Sequence, residues 1–194
     1  PTQSIPFDYE SFARSKTRMK VVITNCHTGN AEYVDLNGND PKVFRDLLAA
    51  TSSLPFLSKV CEFRGQLYMD GGIADSIPVM QAFRDGVDRA VVILTREKGY
   101  QKKPIKGKLL LKTFYRKYPK MVEAMVNRWK VYNRTLEELE RLEQEGKVFI
   151  IRPNLPISVS RIENNPEALE RAYYAAEREA EAVLPELKRW LASK

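Results

Sequence analysis

The chain has 194 residues, a formal net charge of +7 and 43% hydrophobic residues. This length and apolar content suit one domain with a core of its own. No run of about 18 apolar residues occurs, which argues against a transmembrane helix. Two cysteines without metal-ligand spacing favour a reducing compartment, and a single histidine excludes a metal site built from several histidines. We predict a protein that is cytoplasmic or peripherally associated with a membrane, with no cofactor and no metal.

The first third of the chain predicts two hairpins and a capped helix. β-Branched residues fill the first strand, and Asp40 followed by Pro41 is typical of a helix start. The only histidine, His27, falls in the predicted turn between the first two strands, which favours a turn role over a catalytic one. The predicted elements are, in order, a strand at 20–24, a turn at 25–30, a strand at 31–36, a helix at 41–50 and a hairpin at 60–69.

The stretch Tyr68–Val79 is a strand that ends in Asp70, a turn at Gly71 and Gly72, a polar loop and a helix start. Glycines permit a positive φ or a close approach of the backbone to another group. Asp70 therefore lies at the carboxyl end of a strand, where α/β sheets bind ligands. Turn chemistry alone favours a turn-forming or helix-capping aspartate over a catalytic one, since Asp-Gly is first of all a turn signal.

The second half predicts a parallel arrangement. The unbroken apolar run 90–94 is typical of a strand buried on both faces of a parallel sheet, and 148–151 is a second such run. Helices are predicted between them, at 109–130 with an interruption near Pro119 and at 133–146. A strand–helix–strand order implies a crossover to a parallel neighbour in the same sheet. The predicted fold class is α/β, a mainly parallel sheet flanked by helices, followed by a last helical region from Asn165 with a break near Pro185.

The stretch 96–120 is strongly basic. It contains ten lysine and arginine residues against one acid, Glu97, with leucines and aromatics between them. Such a run is either a solvated face or an interfacial segment that brings the protein to an anionic membrane surface. Nucleic acid is the weaker alternative because no nucleic-acid-binding fold accompanies the charge. The candidate membrane-binding residues are Lys102, Lys103, Lys106 and Lys108.

Three motifs carry a family resemblance: Ala50-Thr51-Ser52-Ser53-Leu54-Pro55-Phe56, Tyr68-Met69-Asp70-Gly71-Gly72 and Asp75-Ser76-Ile77-Pro78-Val79. Together they closely resemble the second half of the patatin-like phospholipase domain. The resemblance implies a patatin-like three-layer fold in which Asp70 is the proton acceptor of a Ser–Asp dyad, supported by Gly71 and Gly72. Residues 100–180 also resemble the tail of an uncharacterised bacterial subfamily.

The serine of the dyad is not in this sequence, since no Gly-x-Ser-x-Gly occurs in it. The chain looks like the C-terminal part of such a domain, whose N-terminal half would be its partner. We expect residues 1–163 to belong to the hydrolase domain, with a basic helical insertion at about 96–146, and residues 164–194 to form a C-terminal helical region.

The resemblance implies hydrolysis of lipid acyl esters through an acyl-enzyme by the intact protein, and no esterase activity of this chain alone. The alternatives are a non-catalytic module that binds anionic lipid or nucleic acid, and a degenerate regulatory relative of the enzymes.

Overall fold

The structure, a computed structural model, describes residues 7–160 and 163–193. It is a mixed α/β protein whose described strands form one four-stranded and one two-stranded sheet. The strands are β1 (Lys20–Asn25), β2 (Ala31–Asp35), β3 (Cys61–Phe63), β4 (Gln66–Asp70), β5 (Ala90–Ile93) and β6 (Val148–Ile151). The helices are α1 (Tyr9–Arg14), α2 (Pro41–Thr51), α3 (Val79–Arg84), α4 (Lys108–Phe114), α5 (Pro119–Gln144) and α6 (Pro166–Ala192).

The chain divides into two compact units. The first consists of Pro1–Pro78 and Lys102–Arg134, and the second of Val79–Gln101 and Thr135–Lys194. The two units are defined by contacts within the structure. The expected end of the hydrolase domain near residue 163 is a different kind of boundary, and it stays a prediction. Residues 1–6, 161–162 and 194, which the expected segments include, lie outside the described residues.

The first unit contains an antiparallel sheet in the order β2-β1-β4-β3. The β3–β4 hairpin turns at Arg64 and Gly65, whose φ values of 49° and 71° are those of a tight two-residue turn. Helix α2 begins as predicted, because the Asp40 side chain accepts hydrogen bonds from the N–H groups of Lys42 and Val43. These local features are confirmed.

Two apolar clusters hold this unit together. One joins α2, through Phe44, Leu47 and Ala50, to Ile23 and Tyr68 of the sheet. The other joins the end of β4 to α4 and α5. Its buried members are Cys26, Met69, Ile73, Leu111, Tyr115, Met121, Val122 and Met125.

The second unit contains the parallel pair β5–β6, in register from Ala90 opposite Val148 to Ile93 opposite Ile151. The predicted parallel pairing of these two runs is confirmed. The prediction that the first run is buried on both faces is wrong within the described chain, since Val91 is 40% exposed and Ile93 is 74% exposed.

The expectation of one mainly parallel sheet is also wrong. Four of the six described strands pair antiparallel, and β5 and β6 form a sheet of their own. The physical reason is the length of the connections: the hairpin turns joining β1 to β2 and β3 to β4 are too short to connect parallel neighbours, which need a long crossover.

The predicted interruption near Pro119 is confirmed, because α4 ends at Phe114 and α5 begins at Pro119. The predicted breaks between residues 130 and 133 and near Pro185 are absent. Helix α5 runs without a break from Pro119 to Gln144, and α6 continues through Pro185 to Ala192. A proline inside a helix removes one backbone donor and crowds the preceding turn. In α6 the turns on both sides remain helical despite this cost.

Candidate active site

Asp70 ends β4, a strand that pairs with β1 on one side and β3 on the other. Its N–H donates to the carbonyl oxygen of Ser53 at 3.0 Å. Its side chain caps a single 3₁₀ turn, because Oδ1 accepts a hydrogen bond from the N–H of Gly72 at 2.7 Å. Both the backbone and one carboxylate oxygen of this half-buried residue are therefore fixed.

Gly71 is required by a close approach of two backbone segments. A Cβ at this position would lie 2.1 Å from the carbonyl oxygen of Val22 on β1. At Gly72, a Cβ would lie 2.9 Å from Asp70 Oδ1 and 3.1 Å from Arg128 Nη2. Neither residue has a positive φ. Of the two reasons for glycine that the sequence left open, close approach is the one that applies.

Thr24, a residue of β1, connects the turn to that strand by hydrogen bonds. Its hydroxyl is fully buried, lies 2.8 Å from the carbonyl oxygen of Asp70 and accepts a hydrogen bond from the N–H of Ala74 at 3.2 Å. One side chain thus satisfies backbone groups at both ends of the turn.

Arg128 of α5 is a site residue that the sequence reasoning missed. Its Nε donates to Ser76 Oγ at 3.3 Å, and Ser76 Oγ donates to the carbonyl oxygen of Gly72 at 2.7 Å. A signal was present: Arg128 continues the helical spacing of the buried residues Met121 and Met125. A half-buried arginine on the apolar stripe of a helix indicates a polar partner on the facing element.

Asp75 has a structural role in the same loop. Its Oδ2 accepts from the hydroxyl of Tyr33 at 2.7 Å and its Oδ1 accepts from the N–H of Ile77 at 3.2 Å. It therefore ties the loop after the turn to β2, as an Asx brace does.

Two other ionisable groups near the turn stay protonated near neutral pH. Burial, and to a smaller extent electrostatic repulsion from Cys61, raises the pKa of the Cys26 thiol to about 12. Burial, with the hydrogen bond to Glu32, raises the pKa of Tyr68 to about 12. Neither group suits a nucleophile or base, which needs a pKa near the working pH.

The hydroxyls of three serines, two at the end of α2 and one in the loop after the turn, donate to backbone carbonyl groups. Ser52 and Ser53 donate to the carbonyl oxygens of Leu48 and Ala49, and Ser76 donates to that of Gly72. These hydroxyls stabilise helix α2 and the turn, and none of them is presented to the carboxylate of Asp70.

The four candidate lysines differ in their surroundings. Lys102 is half-buried: its N–H donates to Asn133 Oδ1 at 2.8 Å, and its ammonium lies 4.4 Å from the ring centroid of Tyr132. Lys103, Lys106 and Lys108 are exposed. Of the four candidates, these three are the exposed residues.

His27 lies in the turn after β1, exposed, with its ring 5.6 Å from that of Tyr118. Over residues 7–160 and 163–193, no group of three or more His, Cys, Asp or Glu side chains is placed to hold a metal ion. In the same part of the chain, no helix is both long and apolar enough to cross a membrane.

Two family models match different parts of the chain. Residues 5–83 match the family of patatin-like phospholipases, which confirms the resemblance for this segment. Residues 118–192 match a domain of unknown function, DUF6363. A search of curated proteins found no significant match. The first match contains Asp70, Gly71 and Gly72, and the second contains Arg128.

Proposed function

We propose that this chain is the part of a patatin-like serine acyl-ester hydrolase that supplies the catalytic aspartate, Asp70. The observation that carries the proposal is the asymmetry of its carboxylate. Oδ1 is held by the N–H of Gly72, whereas among the described residues no donor occupies Oδ2. A general base needs this arrangement, with one oxygen fixed for orientation and the other available to the nucleophile.

The proposed chemistry is the one that the resemblance to patatin-like phospholipases implies, with Asp70 as the base. A serine hydroxyl contributed from outside this chain loses its proton to Asp70 Oδ2 as its oxygen attacks the ester carbonyl carbon. The proton is then passed to the leaving alcohol as the C–O bond breaks and an acyl-enzyme forms. Water repeats the sequence, giving its proton to Asp70 and releasing the fatty acid. No metal or cofactor is needed.

The rigid turn supports this role. Asp70 is fixed by hydrogen bonds to Ser53, Gly72 and Thr24. Arg128, acting through Ser76, holds the carbonyl group of Gly72. Arg128 is in this proposal a positioning residue, since it acts on the turn and not on the substrate.

The test is Asp70→Asn in the protein that contains both this chain and a Gly-x-Ser-x-Gly segment. Asparagine keeps the shape and the Oδ1 acceptor but cannot accept the serine proton, so kcat on a chromogenic acyl ester should fall by about 10²–10⁴. Asp75→Asn is the matched control, because Asp75 is a half-buried carboxylate in the same loop with both oxygens occupied. Full activity of Asp70→Asn would remove Asp70 from the mechanism.

The second candidate is a non-catalytic regulatory relative that binds an anionic partner. The observation that favours it is the segment 102–120, which carries eight lysine and arginine residues and no acid. Absence of Gly-x-Ser-x-Gly from the complete protein, together with no hydrolysis, would decide for this candidate.

A further inference from the structure

The first unit carries an exposed apolar patch that neither the core nor the candidate active site uses. Its members come from the loop after α2 and from α4. Their exposed fractions are 48% for Phe56, 68% for Leu57, 78% for Leu109, 61% for Leu110 and 67% for Phe114. Large apolar side chains that cluster at the surface mark interaction sites more often than solitary ones do.

Defined contacts hold the residues of the patch in place. The rings of Phe56 and Phe114 are 5.2 Å apart, and Leu110 lies one helical turn before Phe114 on α4. Phe56 has a φ of 68°, which is uncommon for an aromatic residue. Its N–H donates to the hydroxyl of the buried Tyr115 at 2.8 Å. The backbone is therefore held so that the ring of Phe56 faces outward.

Helix α4 is anchored to the interior by its other face. Leu111 is 2% exposed and Tyr115 is 8% exposed, and both pack in the cluster that contains Met69 and Ile73. These two residues flank the Asp70 turn. The exposed leucines of α4 therefore lie on a helix that is held in place by its buried face. The packing of the core does not require these exposed positions to be apolar.

The residues that flank the apolar side chains of α4 in the sequence are basic. Lys103, Lys106 and Lys108 are exposed immediately before the apolar residues of α4, and further cations follow at Lys112, Arg116 and Lys117. Apolar side chains surrounded by cations match the interfacial zone of an anionic bilayer, where acyl chains meet negative headgroups. Nucleic acid would use the charges but would gain nothing from the exposed leucines.

We infer that this patch inserts into the surface of an anionic lipid bilayer, with the lysines on the headgroups. The position agrees with an enzyme working on lipid. The carbonyl oxygen of Ser53 accepts from the N–H of Asp70, and Phe56 follows Ser53 by three residues. Three residues span at most about 11 Å, so the patch begins close to the Asp70 turn. The inference goes beyond hydrolysis and does not depend on Asp70 being catalytic.

The test is co-sedimentation of the 194-residue chain with vesicles of phosphatidylcholine alone or mixed with phosphatidylserine. The patch variant is Leu57→Ser, Leu110→Ser and Phe114→Ser, three exposed positions whose change should leave folding intact. We expect it to weaken binding to the anionic vesicles by about tenfold or more, since buried apolar area is lost. Lys103→Glu, Lys106→Glu and Lys108→Glu together should do the same by removing the attraction to headgroups.

The matched control variant carries Leu155→Ser, Leu169→Ser and Leu191→Ser, which are leucines of the second unit exposed by 74%, 45% and 59%. It should bind as the unchanged chain does. Circular dichroism and thermal unfolding establish that all variants are folded. A Phe114→Trp variant should in addition be quenched by brominated acyl chains more than the chain with only its native Trp129 and Trp190.

Three results would overturn the inference. The first is equal binding of the patch variant and the unchanged chain to anionic vesicles. The second is binding of the unchanged chain to neutral vesicles that equals its binding to anionic vesicles. The third is light scattering, without lipid, that shows a dimer which the patch variant converts to a monomer, since the patch would then be covered by a second copy. None of these measurements involves hydrolysis, so they are independent of the test of Asp70.

Discussion

The turn after β4 and the strand pair β5–β6 differ in how far their apolar side chains are buried and their polar groups hydrogen-bonded. At the turn, Gly71 is buried, Ile73 is 3% exposed, and backbone groups are bonded to Thr24, Ser53 and Ser76. In the strand pair, Ile93 is 74% exposed although its sequence is that of a buried strand. The turn is defined by contacts within its own unit, whereas the strand pair leaves apolar side chains uncovered by the described part of its own unit.

This difference predicts in which of the two regions a substitution should lower the stability more. A tightly packed turn has no room for an added atom and depends on polar groups at a distance in sequence. An exposed strand residue gains little from being apolar, because its side chain stays in contact with water. Substitution in the two regions should therefore have unequal costs.

The largest effect is expected for Gly71→Ala. The new Cβ would lie 2.1 Å from the carbonyl oxygen of Val22, and a backbone oxygen cannot move aside as a flexible side chain can. We expect the free energy of unfolding to fall by about 3 kcal/mol or more, measured by urea denaturation.

Gly38→Ala is the control for that measurement. Gly38 has a φ of +74°, but nothing lies within 4 Å of an added Cβ. It should cost only about 1 kcal/mol, the penalty of a left-handed backbone conformation. Equal costs for the two variants would show that crowding at Gly71 is not what the turn requires.

A moderate effect is expected for Arg128→Ala. Its loss removes the donor to Ser76 and frees the hydroxyl that holds the carbonyl group of Gly72. We expect a loss of about 1 kcal/mol in stability and faster hydrogen exchange of the N–H of Asp75, which bonds to Gly71 in the same turn.

Arg134→Ala, on the same helix, serves as the comparison. Exchange at the turn should be unchanged in this variant because Arg134 is exposed. If Arg128→Ala also leaves the exchange rates of the turn unchanged, Arg128 does not position it.

The smallest effect is expected in the strand pair, for Ile93→Thr. Threonine keeps the β-branched shape, and the position is exposed, so the free energy of unfolding should change by no more than about 0.5 kcal/mol. Val148→Thr, in the partner strand and 1% exposed, should cost about 1–3 kcal/mol because its hydroxyl is buried. A cost at Ile93 as large as that at Val148 would show that Ile93 is covered in solution.

The sequence by itself determined the features that depend on neighbouring residues. The Arg64-Gly65 hairpin, the Asp40 cap of α2 and the Asp70 turn each follow from residues at most a few positions apart. The parallel pairing of 90–94 with 148–151 was also predictable, because a long helical connection permits it.

Only the tertiary structure decided which distant groups meet. The need for glycine at position 71 comes from Val22 and the support of the turn from Arg128, residues that lie 49 and 57 positions away from Gly71 in the sequence. The antiparallel order β2-β1-β4-β3 and the exposure of Ile93 are likewise results of pairing and packing. Periodicity reports which faces of an element are apolar, but it does not report which partner covers them, and that is why sequence located Asp70 without revealing what holds it.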